Sequence, residues 1–261
     1  MLLITSCINP NKDVPYLSIK SSSERFQQYC TTVEWAIKST NFSKIVFVDN
    51  SNFDTTVFQK YVELATKYEK RLEILSFQGN VAQVVQKGKG YGEGEMIEYA
   101  LENSSLLADS NYFYKITGRL IVENISEIEQ TVKEDNYLTG CFYLNYPYTN
   151  MIDTRFYLIN KELYKNILLN EYYHVDDSNW FALEHIYYKE LKKNKIKYSS
   201  FKVYPRISGQ SGSSGKTYNK RKIFYFYDIL CKLGVFNYES IIYILDIPRK
   251  IRQKIHRLKE G

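Results

Sequence analysis

Hydrophobic positions along the chain alternate between two periods, and the alternation begins at the first residues. Leu2–Ile8 is a short apolar run closed by Asn9-Pro10, which reads as a first buried strand rather than a signal peptide. From Glu24 to Thr40, Phe26, Tyr29, Cys30, Val33, Ala36 and Ile37 recur at helical spacing. Lys44–Val48 (KIVFV) is a compact β-branched run halted by the turn formers Asp49-Asn50-Ser51-Asn52. Thr55–Lys70 repeats apolar residues every three or four positions, and Leu72–Phe77 reads as a third strand. A β-α-β-α-β order within the first 80 residues predicts an α/β fold with a parallel, helix-covered sheet. Ligands of such sheets sit beyond the carboxyl ends of the strands, so Asn9, Asp49–Asn52 and Gln78–Asn80 are expected to meet there. For Asp49 the plainer role is a cap on the next helix.

Further along, Asn111–Val122 (NYFYKITGRLIV) reads as one aromatic strand interrupted by Lys115, Gly118 and Arg119. Strand alternation puts residues four apart on one side, so Lys115 and Arg119 face either an anion or the solvent of an edge strand. Gly118 beside them favours a ligand. Strands are also expected over Tyr137–Tyr148 and Asp153–Ile159, and Asp153 and Arg155 share a face. That pair fits a surface salt bridge or a hydroxylated ligand equally well. Asp176-Asp177-Ser178 precedes a helix carrying Trp180, Leu183, Tyr187, Tyr188 and Leu191 on one stripe, with Glu184 inside it. A carboxylate on a buried helix face is expected to have a raised pKa and to serve as a base, a sugar-hydroxyl acceptor or part of a structural network. Asp176 and Asp177 read as helix caps, with one of them the reserve base.

Two segments are rich in glycine. Lys87-Gly88-Lys89-Gly90-Tyr91-Gly92-Glu93-Gly94-Glu95 opens a helical pattern through Met96, Ile97, Ala100 and Leu101. Its glycines allow close backbone approach, its lysines supply positive charge, and the helix offers free N–H groups, so it fits a diphosphate cradle or a mobile capping loop. The spacing is neither Gly-x-Gly-x-x-Gly nor a Walker loop. The second segment, Val203–Tyr218 (VYPRISGQSGSSGKTY), fits a lid over a substrate or a linker.

Composition sharpens this picture in two respects. At 261 residues, 44% hydrophobic and 25% charged, the chain is an ordinary globular one rather than a disordered or fibrous one. No apolar run approaches the roughly 20 residues of a membrane-spanning helix. Cys7, Cys30, Cys141 and Cys231 lie far apart with no Cys-x-x-Cys, so neither a zinc ribbon nor a disulfide framework is expected and a reducing cytosol is the default compartment. Charge is unevenly placed. Residues 216–261 carry 11 Lys and Arg against 4 Asp and Glu, a balance of +7, which leaves the rest at −1 of the total +6. Within that tail, Lys220-Arg221-Lys222 leads an aromatic block, and Ile251, Ile255 and Leu258 form a stripe flanked by basic residues. This pattern suits an anionic membrane surface better than nucleic acid, each basic residue contributing about 1 kcal/mol, with docking of the tail on the protein's own core a third option.

The ordered set VDNSN, KGKGYGEGE, YKITGRL, DTRFYLI, LEHIYYKEL and SGQSGSSG resembles small bacterial glycosyltransferases of capsule and lipopolysaccharide O-antigen assembly, over roughly residues 1–218. The resemblance implies a GT-A-like Rossmann-type mixed sheet, with a nucleotide-sugar half over about 1–125 and an acceptor half over about 126–218. Residues 219–261 then form a basic helical tail on the inner face of the cytoplasmic membrane. The implied partners are a nucleotide-sugar donor, a lipid-linked or oligosaccharide acceptor and that anionic surface, with no nucleic acid. Asn9, Asp49, Asn50 and Ser51 would hold the nucleoside. Lys87, Gly88, Gly90, Gly92, Glu93, Lys115, Gly118 and Arg119 would hold the diphosphate and donor sugar. Asp153, Arg155, His185, Arg206, Ser211 and Gly212 would shape the sugar and acceptor pocket, with Glu184 as the base and Asp177 in reserve. The resemblance also implies Asp-x-Asp for Mn²⁺ or Mg²⁺, and Lys115-Ile116-Thr117-Gly118-Arg119 stands in its place. Direct neutralisation by cations is therefore expected ahead of a metal. A sugar nucleotidyltransferase, or a non-catalytic module driven by the tail, is the alternative reading.

Overall fold

The structure is a computed structural model, and it describes residues 1–134, 141–142, 145–146, 150–198, 200–218 and 229. The tail from residue 219, apart from Ile229, and most of the strand expected over 137–148 lie outside the described residues.

Strand β1 (Leu2–Ser6) leads to α1 (Ser22–Lys38), whose Ser21 hydroxyl accepts the N–H of Glu24 as a cap. Then follow β2 (Lys44–Asp49), a 3-10 turn at Thr55–Phe58, α2 (Gln59–Lys67) and β3 (Arg71–Ser76). After them come α3 (Val81–Lys87), α4 (Lys89–Asn103), the single turn α5 (Ser105–Ala108), β4 (Tyr112–Thr117) and β5 (Leu120–Val122). The remainder contains α6 (Ile125–Glu134), β6 (Cys141–Phe142), β7 (Asn145–Tyr146), β8 (Met151–Ile152), β9 (Phe156–Asn160), α7 (Lys161–Ile167), α8 (Leu183–Lys193) and β10 (Ile207–Gly209).

Six strands form one sheet in the order β3-β2-β1-β4-β9-β6. β3, β2, β1 and β4 run parallel, and β9 lies antiparallel to β4. The predicted parallel β-α-β-α-β start is present, in a mixed α/β sheet flanked by helices. Alternation along each strand explains the two layers of core. Leu2, Ile4, Phe47 and Ile116 point into the layer under α1, α2 and α6. Leu3, Val46, Val48 and Phe113 point into the layer under α4, α7 and α8.

Two expected elements are corrected. The single strand over Asn111–Val122 is broken after Thr117, because Gly118 donates its N–H to the Thr5 carbonyl at 2.9 Å and the chain turns away from the sheet. A Cβ on Gly118 would stand 2.6 Å from that carbonyl oxygen, so close approach requires glycine here. The break sends Lys115 and Arg119 to different surroundings, against the expectation that they share a side. The expected helix after Asp176 begins only at Leu183, behind a 3-10 turn at Asp177–Asn179, which leaves Trp180 outside it.

Candidate active site

The parallel strands end together, and a cavity of about 950 Å³ opens over their carboxyl ends. Its floor is formed by Thr5, Ser6 and Cys7 after β1, Asn50 and Ser51 after β2, Gln78 and Gly79 after β3, and Thr117 and Arg119 after β4. The start of α4 makes one wall and the segment from Asp177 to His185 another. Loop residues between Asn9 and Leu17 and between Gln210 and Tyr218 close the rim. Of the residues singled out in the sequence, the cavity brings together Asn9, Asn50, Ser51, Gly90, Gly92, Glu93, Arg119, Arg155, Asp177, Glu184, His185, Ser211 and Gly212.

Other candidates lie behind this surface. Asp49 is buried and works as a splice: it accepts the Ile8 N–H at 2.8 Å, the Ser51 N–H at 2.8 Å and the Ser6 hydroxyl at 2.9 Å, fixing the ends of β1 and β2. It is a local turn anchor, not a cap on the next helix. Lys115 is 0% exposed; its ammonium meets Glu93 at 2.6 Å and donates to the Thr154 carbonyl at 2.8 Å. Its charge is thus spent inside the protein, tying β4 to α4. Gly118 serves the close approach to Thr5 described above. Asp153 is buried and pairs with Arg155, whose guanidinium also stands 4.8 Å from the centre of the Tyr218 ring. Lys87 donates to the Tyr173 carbonyl and stands over the Tyr91 ring. Arg206 makes an ion pair with Glu127 at 3.7 Å and does not line the cavity.

The glycine run is a packing device. Residues 89–103 are helical, and the alternate glycines let α4 press against its neighbours. A Cβ on Gly94 would collide with the Tyr172 side chain, and one on Gly90 would stand 3.1 Å from the Cβ of Leu183. Gly88 has φ 108°, a conformation that suits glycine, and a Cβ there would collide with Asp177. Asp177 in turn accepts the Lys89 N–H at 2.9 Å and reaches the Gly90 N–H as well. The helix N-terminus expected to cradle a phosphate is therefore capped by a side chain 88 residues away. This role replaces the expected capping of its own helix, which Asp176 performs for the 3-10 turn by accepting from Asn179.

Arg119, Lys89 and Glu184 all line the cavity. The Nε and Nη1 atoms of Arg119 are shielded from solvent and have no hydrogen-bond partner. A guanidinium enclosed without an acceptor is costly, and an anion placed against it removes that cost. Lys89 bridges the rim, donating from Nζ to the Tyr16 carbonyl at 2.9 Å and to the Ser213 hydroxyl. Burial, together with the nearby Arg119 and Arg25, lowers its pKa. Glu184 sits in the first turn of α8 and accepts the Thr154 hydroxyl at 2.9 Å. Burial, reinforced by the charges of Glu93 and Asp153, pushes its carboxyl up to about 7. Beside it, burial lowers the pKa of His185, and its Nδ1 is shielded without a partner. Among the described residues no three His, Cys, Asp or Glu side chains converge as a metal ion requires.

Sequence reasoning missed Arg25 and Tyr29. Arg25 is buried on the inner face of α1, donating to the carbonyls of Cys7 and Ile19 and to the Tyr29 hydroxyl at 2.6, 3.2 and 2.9 Å. It holds the β1 exit under the cavity. The signal was present: a charge four residues before Tyr29 on an apolar helical stripe. Trp180, assigned to the stripe of a helix, is instead 80% exposed on the cavity wall.

Solved structures with this arrangement include the glycosyltransferase GlyE from Streptococcus pneumoniae TIGR4, at 9% identity and a TM-score of 0.50, covering 96% of this chain. The chain shares the GlyE fold. It spans 63% of the length of GlyE. HddC from Yersinia pseudotuberculosis matches over 80% of this chain and 93% of its own, at 11% identity and a TM-score of 0.41. Mouse xyloside xylosyltransferase 1 matches over 77% and 84% respectively, also at 11% and 0.41. No protein-family model and no curated protein matches the sequence.

Proposed function

We propose that the chain is a nucleotide-sugar-dependent glycosyltransferase, moving a sugar to a lipid-linked or glycan acceptor in bacterial surface polysaccharide synthesis. The observation that carries this reading is the pairing, in one cavity at the strand ends, of a guanidinium with two shielded, unpartnered nitrogens and a carboxyl that titrates near neutrality. Such a reaction needs both. Charge builds on the departing nucleoside diphosphate, and Arg119 and Lys89 supply fixed positive charge where it develops. The acceptor hydroxyl must lose its proton as its oxygen attacks the anomeric carbon, and the raised pKa of Glu184 supports it as the base that takes it. Asn50 and Ser51 on the floor fit the nucleoside, and Ser211 and Gly212 close over the donor from the rim. Asp177 is committed to capping α4, so Glu184 is the base and Asp177 positions the helix. In this reading the tail beyond residue 218 places the enzyme on an anionic membrane face, as its sequence pattern suggests.

The test is a thermal-shift screen of nucleoside diphosphates and their sugars, with and without Mn²⁺, followed by calorimetry on Arg119→Ala. Stabilisation by one nucleotide class, and a loss of about 10–100-fold in its affinity in the variant, is expected from losing charged hydrogen bonds of about 1.5–3 kcal/mol. Because Nε and Nη1 have no partner in the protein, the variant should fold as stably as the parent. Unchanged affinity for the nucleoside diphosphate would remove Arg119 from the site.

A further inference from the structure

Two bulky aromatic residues at the cavity mouth are held in left-handed backbone conformation. Tyr16 has φ 55° and is 57% exposed; Trp180 has φ 62° and is 80% exposed. Both line the cavity, from different loops. Large side chains rarely adopt this region, and the strain persists only where the surroundings enforce it. Here they do. Trp180 closes the 3-10 turn, its N–H donating to the Asp177 carbonyl at 3.3 Å, while the flanking residues Asp176 and Phe181 bridge to each other. The Tyr16 carbonyl is held by the Lys89 ammonium, and the Lys89 N–H is held by Asp177. One residue of α4 therefore fastens both aromatic loops to the same stretch of rim. Neither ring is needed for the core.

The geometry points to a saccharide platform: Tyr16 and Trp180, exposed on the rim of the cavity that His185 also lines, receive the apolar face of a pyranose ring of the acceptor. This rests on the transferase reading and names its acceptor class as a glycan. Exposed Trp and Tyr bury flat area at little entropic cost while leaving polar edges free, which suits a ring with one C–H face and equatorial hydroxyls. Insertion into an anionic lipid surface is the competing use of such rings. Asp176 and Asp177, four and three residues before Trp180 in the same turn, disfavour it, because carboxylates are repelled by that surface.

The experiment uses the full chain on a printed glycan array, with UDP, GDP, CDP or dTDP present, alongside flotation with phosphatidylglycerol–phosphatidylcholine vesicles. Wild type should bind a restricted set of saccharides. Trp180→Gly and Tyr16→Ala should each lose at least tenfold of that signal, Trp180→Phe should restore most of it, and flotation should be unchanged. Trp180→Gly should also melt at a higher temperature than wild type, since glycine relieves the backbone strain; a merely structural tryptophan would lower it. Array binding unaffected by Trp180→Gly, no saccharide bound by wild type, or vesicle binding lost in the variant would each overturn the platform. Nucleoside diphosphate affinity, measured on the same proteins, separates the two claims. If it is absent in wild type while the array result holds, the transferase reading fails and the platform stands.

Discussion

Replacing Glu184 with Gln tests the acid at the centre of the cavity without knowing any substrate. Its carboxyl titrates at about 7 instead of 4.5, chiefly because burial disfavours the charged form. Between those values the folded protein keeps a proton that the unfolded chain has released. The contribution of this group to stability is therefore complete below about pH 4.5 and is lost as pH rises through about 7. A shift of that size corresponds to about 3 kcal/mol. Gln keeps the acceptor that takes the Thr154 hydroxyl at Oε1 and cannot ionise. Chemical denaturation of both proteins across pH should show Glu184→Gln the more stable by about 3 kcal/mol at pH 8, by about 1 kcal/mol at pH 5, and by little at pH 4. A difference that does not change with pH, or a wild type that is the more stable at pH 8, would refute the buried-acid argument. With substrates in hand, the same variant should lose roughly 10²–10⁴-fold in turnover, and wild-type kcat/KM should climb with pH up to about 7 and then level.

Other perturbations probe the frame that holds the site. Gly94→Ala should destabilise by about 1–3 kcal/mol in urea denaturation, because the new methyl meets Tyr172, even though alanine favours the helix; a stabilised variant would show that α4 does not press there. Lys115→Met leaves Glu93 without its cation and should cost about 3–5 kcal/mol, read as a lower urea midpoint at constant slope. If it folded with wild-type stability and lost only nucleotide affinity, Lys115 would belong to the site after all.

The local periodicities already determined the early strands, α1, and the parallel arrangement that brings strand ends together, because alternation and 3.6-residue spacing are properties of contiguous residues. Glu184 was legible for the same reason, as a charge on an otherwise apolar helical pattern. Tertiary structure decided which charges remain available. Lys115 and Arg119 are four residues apart and look equivalent in sequence. The first is buried within β4 against Glu93, and the turn at Gly118 carries the second to the cavity lining. The glycines of Lys87–Glu95 looked like a phosphate loop, but partners far along the chain, Asp177, Leu183 and Tyr172, make them a helix packing face. Trp180 had the spacing of a core residue, and the turn capped by Asp176 put it outside the helix. For the charges and the glycines the deciding contacts join residues distant in sequence, of which local spacing carries no record; for Trp180 a local turn overrode the helical spacing.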